Sequence, residues 1–273
     1  MIRIVALVLL LTAAACTRVE RQFLPEPTLL GGEFARFAEA PGATVDHAPW
    51  DAFLARYRSV DEAGIARLAY AEVTPADRAA LDGYIARLAA VDPARLDRDT
   101  ALAYWINLYN AVTVAIVLDA YPVGSIRDIS DGPLPTGPWD RPVVSVAGRR
   151  LSLNDIEHRI IRPAFDEPRI HYAVNCAAAG CPNLQATAWR GADLVARLTE
   201  AERRYVTDAR GVRVDADGRV SASKIYAWFA EDFGTHADLV AYLATNAGPE
   251  EAAALGRHRR IDRYHYDWSL NDR

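Results

Sequence analysis

Residues 101–118 carry no charged side chain: Ala-Leu-Ala-Tyr-Trp-Ile-Asn-Leu-Tyr-Asn-Ala-Val-Thr-Val-Ala-Ile-Val-Leu. A run this apolar has two physical fates. As a helix it is long enough to cross hydrocarbon, or it passes through a folded core and is buried on every side. Asn107, Asn110 and Thr113 decide between them, because each is costly in lipid. The run therefore reads as a buried central helix. Asn is a poor helix former, roughly 0.6 kcal/mol per residue below Ala. Asn107 and Asn110 are three apart and share one face. Either they bond neighbouring loops from inside the core, or they point their amides into a cleft.

The chain begins with a different apolar stretch. Arg3 precedes an unbroken run at residues 4–11, then Thr-Ala-Ala-Ala leads to Cys16. A positive start, an apolar centre and small residues describe a signal peptide over residues 1–15. Small residues ending at a cysteine resemble the lipobox of bacterial lipoproteins, with Ala13 where Leu is usual. Lipidation of Cys16 is the expectation, and simple cleavage after Ala15 is the rival. Residues 16–44 mix Pro and Gly without a sustained period and read as a tether. The folded domain is expected over residues 45–273. The protein is then periplasmic, held to the bacterial outer membrane by lipid at Cys16. A net charge of −5, with Lys224 the only lysine, argues against a nucleic-acid partner.

Further elements follow from pattern. Trp50, Phe53, Leu54 and Tyr57 recur at helical spacing. Thr74-Pro75-Ala-Asp77 is a helix start: a capping hydroxyl, a proline in the first turn and an acid near the positive helix end. Residues 121–138 form an irregular loop. Residues 143–153 read as a hairpin turning at Ala147-Gly148. Ser152 and Asp155 then cap a short helix that turns Ile156, Ile160 and Ile161 inward and ends at Pro163. Residues 192–206 read as helix, and 212–214 with 219–221 as a second hairpin. Helical pieces follow at 223–233, 237–246 and 250–255, and residues 264–271 dock at the end. The fold class is α+β: a helical N-terminal half, then hairpins around a small, mostly antiparallel sheet, in a single domain.

The chemistry concentrates in Asn154-Asp-Ile-Glu-His158 and in residues 169–182. Ile170, Tyr172 and Val174 alternate with His171, Ala173 and Asn175, which predicts a strand running into a tight turn at Cys176–Pro182. In an exported protein, Cys176 and Cys181 form a disulfide by default. Alternatively Cys176 is a nucleophile, which needs a base and an orienting acceptor. His158, on a helix end, can face it. On an extended strand His171 lies about 16 Å away, out of direct contact. Zinc held by both cysteines and a histidine lacks a compact ligand spacing. An inert buried thiol is the remaining reading. No phosphate-binding glycine motif appears, and neither metal nor cofactor is expected.

Five ordered motifs resemble the domain-of-unknown-function 547 family: Tyr104-Trp-Ile-Asn-Leu-Tyr-Asn110; Leu151-Ser-Leu-Asn-Asp-Ile-Glu-His158; Arg169-Ile-His-Tyr-Ala-Val-Asn-Cys176 with Cys181-Pro182; Ser223-Lys-Ile225 with Asp232-Phe233; and Tyr266-Asp-Trp-Ser-Leu-Asn271. The resemblance runs from about Trp50 to the C-terminus. It implies bacterial exported proteins or plant proteins with N-terminal coiled coils, and no stated activity. The pattern positions it implies are Trp105, Asn107, Asn110, Glu157, His158, His171, Cys176, Cys181 and Pro182. The Cys–His content is similar to papain-like and transglutaminase-like enzymes, although here His158 precedes Cys176.

Two functions follow as expectations. One is a thiol-dependent hydrolase or acyltransferase on an amide or ester. Cys176 is its nucleophile, His158 its base, Glu157 the orienter, and Asn107 or Asn110 the oxyanion donor. Trp105, His171 and Asn175 bind substrate. The other is a non-catalytic periplasmic binding or scaffold module with a Cys176–Cys181 disulfide. The substrate or envelope partner is not named by the sequence.

Overall fold

A computed structural model describes residue 21 and residues 24–40, 44–130, 132 and 135–273. The signal peptide and the lipidated Cys16 lie outside the described residues. The α+β expectation holds: helices dominate, with two antiparallel ribbons and one three-stranded sheet. By the packing of its described residues the chain forms two compact units. One comprises residues 27–201 and 267–273, the other residues 202–266. No linker marks the division in the sequence, because the chain's last seven residues return to the first unit.

In the first unit, α1 (Ala48–Tyr57) buries Trp50, Phe53, Leu54 and Tyr57, the four residues at helical spacing. An antiparallel ribbon follows, β1 (Arg58–Val60) with β2 (Ala66–Leu68). Helix α2 (Pro75–Ala89) starts as its sequence predicts, with the Thr74 side chain accepting the Asp77 amide N–H. Helix α3 (Arg98–Ala120) contains the uncharged run. Every residue from Ala101 to Val117 is buried, so this is a core helix with no outward face. Its length and hydropathy would also suit a membrane, yet 94% of its most apolar window is buried inside the protein.

The ribbon β3 (Val144–Val146) with β4 (Arg149–Leu151) turns at Ala147 and Gly148, both at positive φ, as a two-residue hairpin requires. Ser152 and Asp155 then form a reciprocal capping box. The next helix, α4, is α-helical over Leu153–Ile156, π-helical over Glu157–Ile161 and α-helical again over Arg162–Phe165. Ile156, Ile160 and Ile161 are fully buried, as expected. Pro163 does not end the helix, and the reason is a hydrogen bond supplied from elsewhere. A proline leaves the carbonyl four residues back without its helical donor. Here that carbonyl, Arg159 O, accepts the Leu30 amide N–H at 2.8 Å. The helix ends instead at Asp166, in the left-handed region at φ 45°. Helix α5 (Leu194–Val206) follows.

The second unit pairs β5 (Val212–Val214) antiparallel with β6 (Val220–Ser223), the predicted hairpin. After α6 (Ile225–Trp228), α7 (His236–Asn246) and α8 (Pro249–His258), strand β7 (Arg263–His265) joins β6 in parallel.

Two expectations are corrected. Residues 169–175 are not a strand: Pro168–Tyr172 is a 3-10 helix, with the Glu167 carboxylate accepting the Arg169 amide N–H. Residues 170–175 are all buried, so the apparent alternation does not separate a wet face from a dry one. Nor are residues 16–44 a tether throughout. Phe34 is 1% exposed and meets Trp105 edge-on at 5.7 Å between ring centroids. Phe37 packs on Phe165 at 5.1 Å. Phe34→Ala should therefore lower the unfolding free energy by roughly 3–5 kcal/mol. Urea unfolding checks it: a loss below about 0.5 kcal/mol is what an exposed tether residue gives.

Candidate functional site

The site is built around the loop from Asn175 to Pro182, and α3 holds it. The Asn110 side chain donates to Ala173 O at 3.0 Å and accepts the Asn175 amide N–H at 2.8 Å. One amide thereby satisfies a donor and an acceptor of a backbone that belongs to no sheet. Asn107, one helical turn earlier, does the same for another loop. It donates to Trp189 O at 2.8 Å and accepts the Trp189 amide N–H at 2.9 Å. Gly191 then lies against the start of α3 so closely that a Cβ there would fall 2.7 Å from the Thr100 nitrogen. His47 borders Asn107 at 3.5 Å and bonds the Tyr84 hydroxyl at 2.7 Å. Burial holds the His47 pKa down at about 4, so the ring is neutral near pH 7.

The two asparagines are thus pegs between helix and loops. Each amide spends its oxygen and one N–H on the backbone of a loop.

Asn175 continues the construction. Its side-chain oxygen accepts the Ala177 amide N–H at 2.9 Å, and its nitrogen donates to Pro182 O at 2.8 Å. It is 6% exposed and shapes the loop from within, rather than facing a substrate. The left-handed residue of the turn is Ala177, at φ 60°. The C-terminal segment closes the other side. Asn271 N–H donates to Ala177 O at 2.9 Å, Ala179 N–H to Ser269 O at 2.8 Å and Gly180 N–H to Asp267 O at 2.8 Å.

Within this frame the Cys176 and Cys181 sulfurs are 2.7 Å apart. The Cys176 amide N–H donates to the Cys181 sulfur at 3.1 Å. Cys176 is partly exposed and Cys181 buried, and the structure carries them as thiols. Among the described residues no group of three or more His, Cys, Asp or Glu side chains is placed to hold a metal ion.

Buried polar groups gather beside the pair. The Tyr109 hydroxyl bonds Glu157, and its ionisation is pushed well above the ordinary phenol range by burial, then by the charges of Glu157 and Cys176. His171 Nδ1 stands 3.9 Å from Glu157 Oε1. The chain is not extended between His171 and Cys176, so the separation argued from a strand does not apply. His158, 2% exposed, has Nδ1 3.4 Å from Arg162 Nη1 on its own helix. Glu157 and His158 open the π segment, a helical irregularity that recurs at functional sites. Trp105 is fully buried between Phe34 and Tyr104. It is core, and offers no surface to a substrate.

Sequence reasoning missed Tyr109 and the C-terminal clamp. Tyr109 lies inside the motif that contains Asn107 and Asn110, and its partner Glu157 lies in the next. Only the folded chain shows that the two motifs meet, through the Tyr109–Glu157 hydrogen bond.

The pegs are separable. Asn110→Ala should lose a few kcal/mol of stability, at about 1–3 kcal/mol for each buried group left unpaired. Hydrogen exchange should lose protection at the Asn175 amide in that variant, and at the Trp189 amide in Asn107→Ala. Loss at both amides in either variant would contradict two separate pegs.

No curated protein and no solved structure matches this chain. One family model does, over residues 93–206, and every pattern position from Trp105 to Pro182 falls inside that span. The stretch that holds α3, α4 and the cysteine loop is thus similar to the DUF547 family, described as a protein of unknown function.

Proposed function

We propose that this is an exported envelope protein, anchored by lipid at Cys16, whose folded part is a binding or scaffold module with a Cys176–Cys181 disulfide. The contact of 2.7 Å between the two sulfurs carries this reading. A disulfide bond is about 2.05 Å long, so closure needs a movement well under 1 Å. In an oxidising compartment two such thiols lose two protons and two electrons to a disulfide donor.

The hydrolase reading loses support at three of its positions. Asn107 and Asn110 each spend the side-chain oxygen and an amide hydrogen on a loop backbone. His158 Nδ1 lies 3.4 Å from Arg162 Nη1 on its own helix. One observation still favours thiol catalysis: Cys176 is partly exposed, and its charge is felt at Tyr109, the partner of Glu157.

Thiol counting separates the two. Protein isolated from its own compartment should show no thiol at Cys176 or Cys181 when denatured with an alkylating agent, and two after reduction. A Cys176 thiolate that alkylates in the native protein, and more slowly in His158→Ala, would restore the hydrolase.

The anchor is tested independently. Cys16→Ser should move the protein from the membrane fraction to the soluble one. A processed Ser variant that stays on the membrane would refute lipid anchoring.

A further inference from the structure

We infer that the Cys176–Cys181 pair is a thiol–disulfide exchange site, with Cys176 the sulfur that is attacked and Cys181 the sulfur that leaves. This rests on the disulfide reading above and goes beyond it, since a bridge that only staples the fold would resist exchange.

Three features of the loop point this way. The first is unequal access. Cys176 is partly exposed, whereas Cys181 is 3% exposed. Cys176 is the more open of the two residues to an incoming thiolate, and exchange depends on which sulfur is attacked.

The second is the leaving group. Attack on Cys176 breaks the S–S bond and leaves the electron pair on Cys181. The Cys176 amide N–H already donates to that sulfur at 3.1 Å. A donor placed on the departing sulfur stabilises the emerging anion, and a better leaving group leaves faster.

The third is that the loop does not need the bridge. Asn110 fixes Asn175, and Asn175 spans to Ala177 and Pro182. Asn271, Ser269 and Asp267 hold Ala177, Ala179 and Gly180 from the other side. A bridge stabilises chiefly by restricting a long flexible loop. Only four residues separate the cysteines here, and they are already held. Reduction and oxidation then alter the sulfurs and leave the backbone where it is.

The reaction balances with a dithiol as reductant. Its thiolate attacks the Cys176 sulfur, giving a mixed disulfide at Cys176 and a thiolate at Cys181. The reductant's second thiolate attacks its own sulfur in the mixed disulfide and frees Cys176 as thiolate. The dithiol becomes a disulfide, and its two protons end on Cys176 and Cys181. Run backward, the protein dithiol reduces a disulfide substrate. The ligand class is an exposed protein thiol or disulfide, or a small one.

Variants of the full chain that keep one of the two loop cysteines test this. Native Cys181→Ser incubated with oxidised glutathione should trap glutathione on Cys176, read by mass spectrometry. Native Cys176→Ser should trap it on Cys181 at least tenfold more slowly. Wild-type protein should lose its bridge to dithiothreitol without denaturant and keep its circular dichroism. Equal trapping in the two variants overturns the inference. So does a bridge that opens only on unfolding, or a fold that collapses on reduction; in either case the disulfide module stands and exchange alone fails. Two thiols in the protein as isolated overturn both.

Discussion

A single amide, that of Asn110, fixes where the cysteine loop can lie. It both gives and takes a hydrogen bond on the 173–175 backbone. That backbone is buried and belongs to no ladder, so its polar groups must be met by a side chain or stay unmet. A buried group left unmet costs about 1–3 kcal/mol. A helix with an outward face could turn such an amide to water. Helix α3 has no such face between Ala101 and Val117, so the asparagine is bound to the loop or to nothing. From that bond the rest is propagated locally: Asn175 sets Ala177 and Pro182, and the loop between them places both sulfurs.

The second support is the π turn in α4. Pro163 withholds a donor from Arg159 O, and the Leu30 amide supplies one. The helix continues through a position where proline alone would have broken it. Its wider turn carries Glu157 and His158 into the interior, at 6% and 2% exposure. Glu157 then bonds Tyr109 of α3. The N-terminal segment near Leu30 thus takes part in shaping the site, although no chemical group of that segment enters it.

What the sequence made legible was local. The Thr74 cap, the Ser152–Asp155 box, the Ala147-Gly148 turn and the 212–223 hairpin each follow from residues within a few positions of one another. The burial of 101–117 was also readable, because a run without charge has few places to go. The errors share one cause, a partner distant in sequence. Residues 169–175 read as a strand because their alternation is real, yet Asn110 supplies the bonds a ladder would have. Pro163 read as a stop because Leu30 is 133 positions away. Phe34 read as tether because nothing near it in sequence shows that Trp105 is its neighbour. The choice of His158 as base rested on proximity along the chain, whereas its described neighbour is Arg162.

The backbone donor at Cys181 decides where charge can appear in the pair. Burial, then the charges of Glu157 and Cys176, pushes the ionisation of Tyr109 well above the ordinary phenol range, so near pH 7 its hydroxyl is a donor and not a base. A disulfide carries no charge. When exchange breaks it, the electron pair is left on Cys181, where the Cys176 amide N–H already points at the sulfur at 3.1 Å. The charge that exchange generates therefore appears at a donor that needs no rearrangement to receive it.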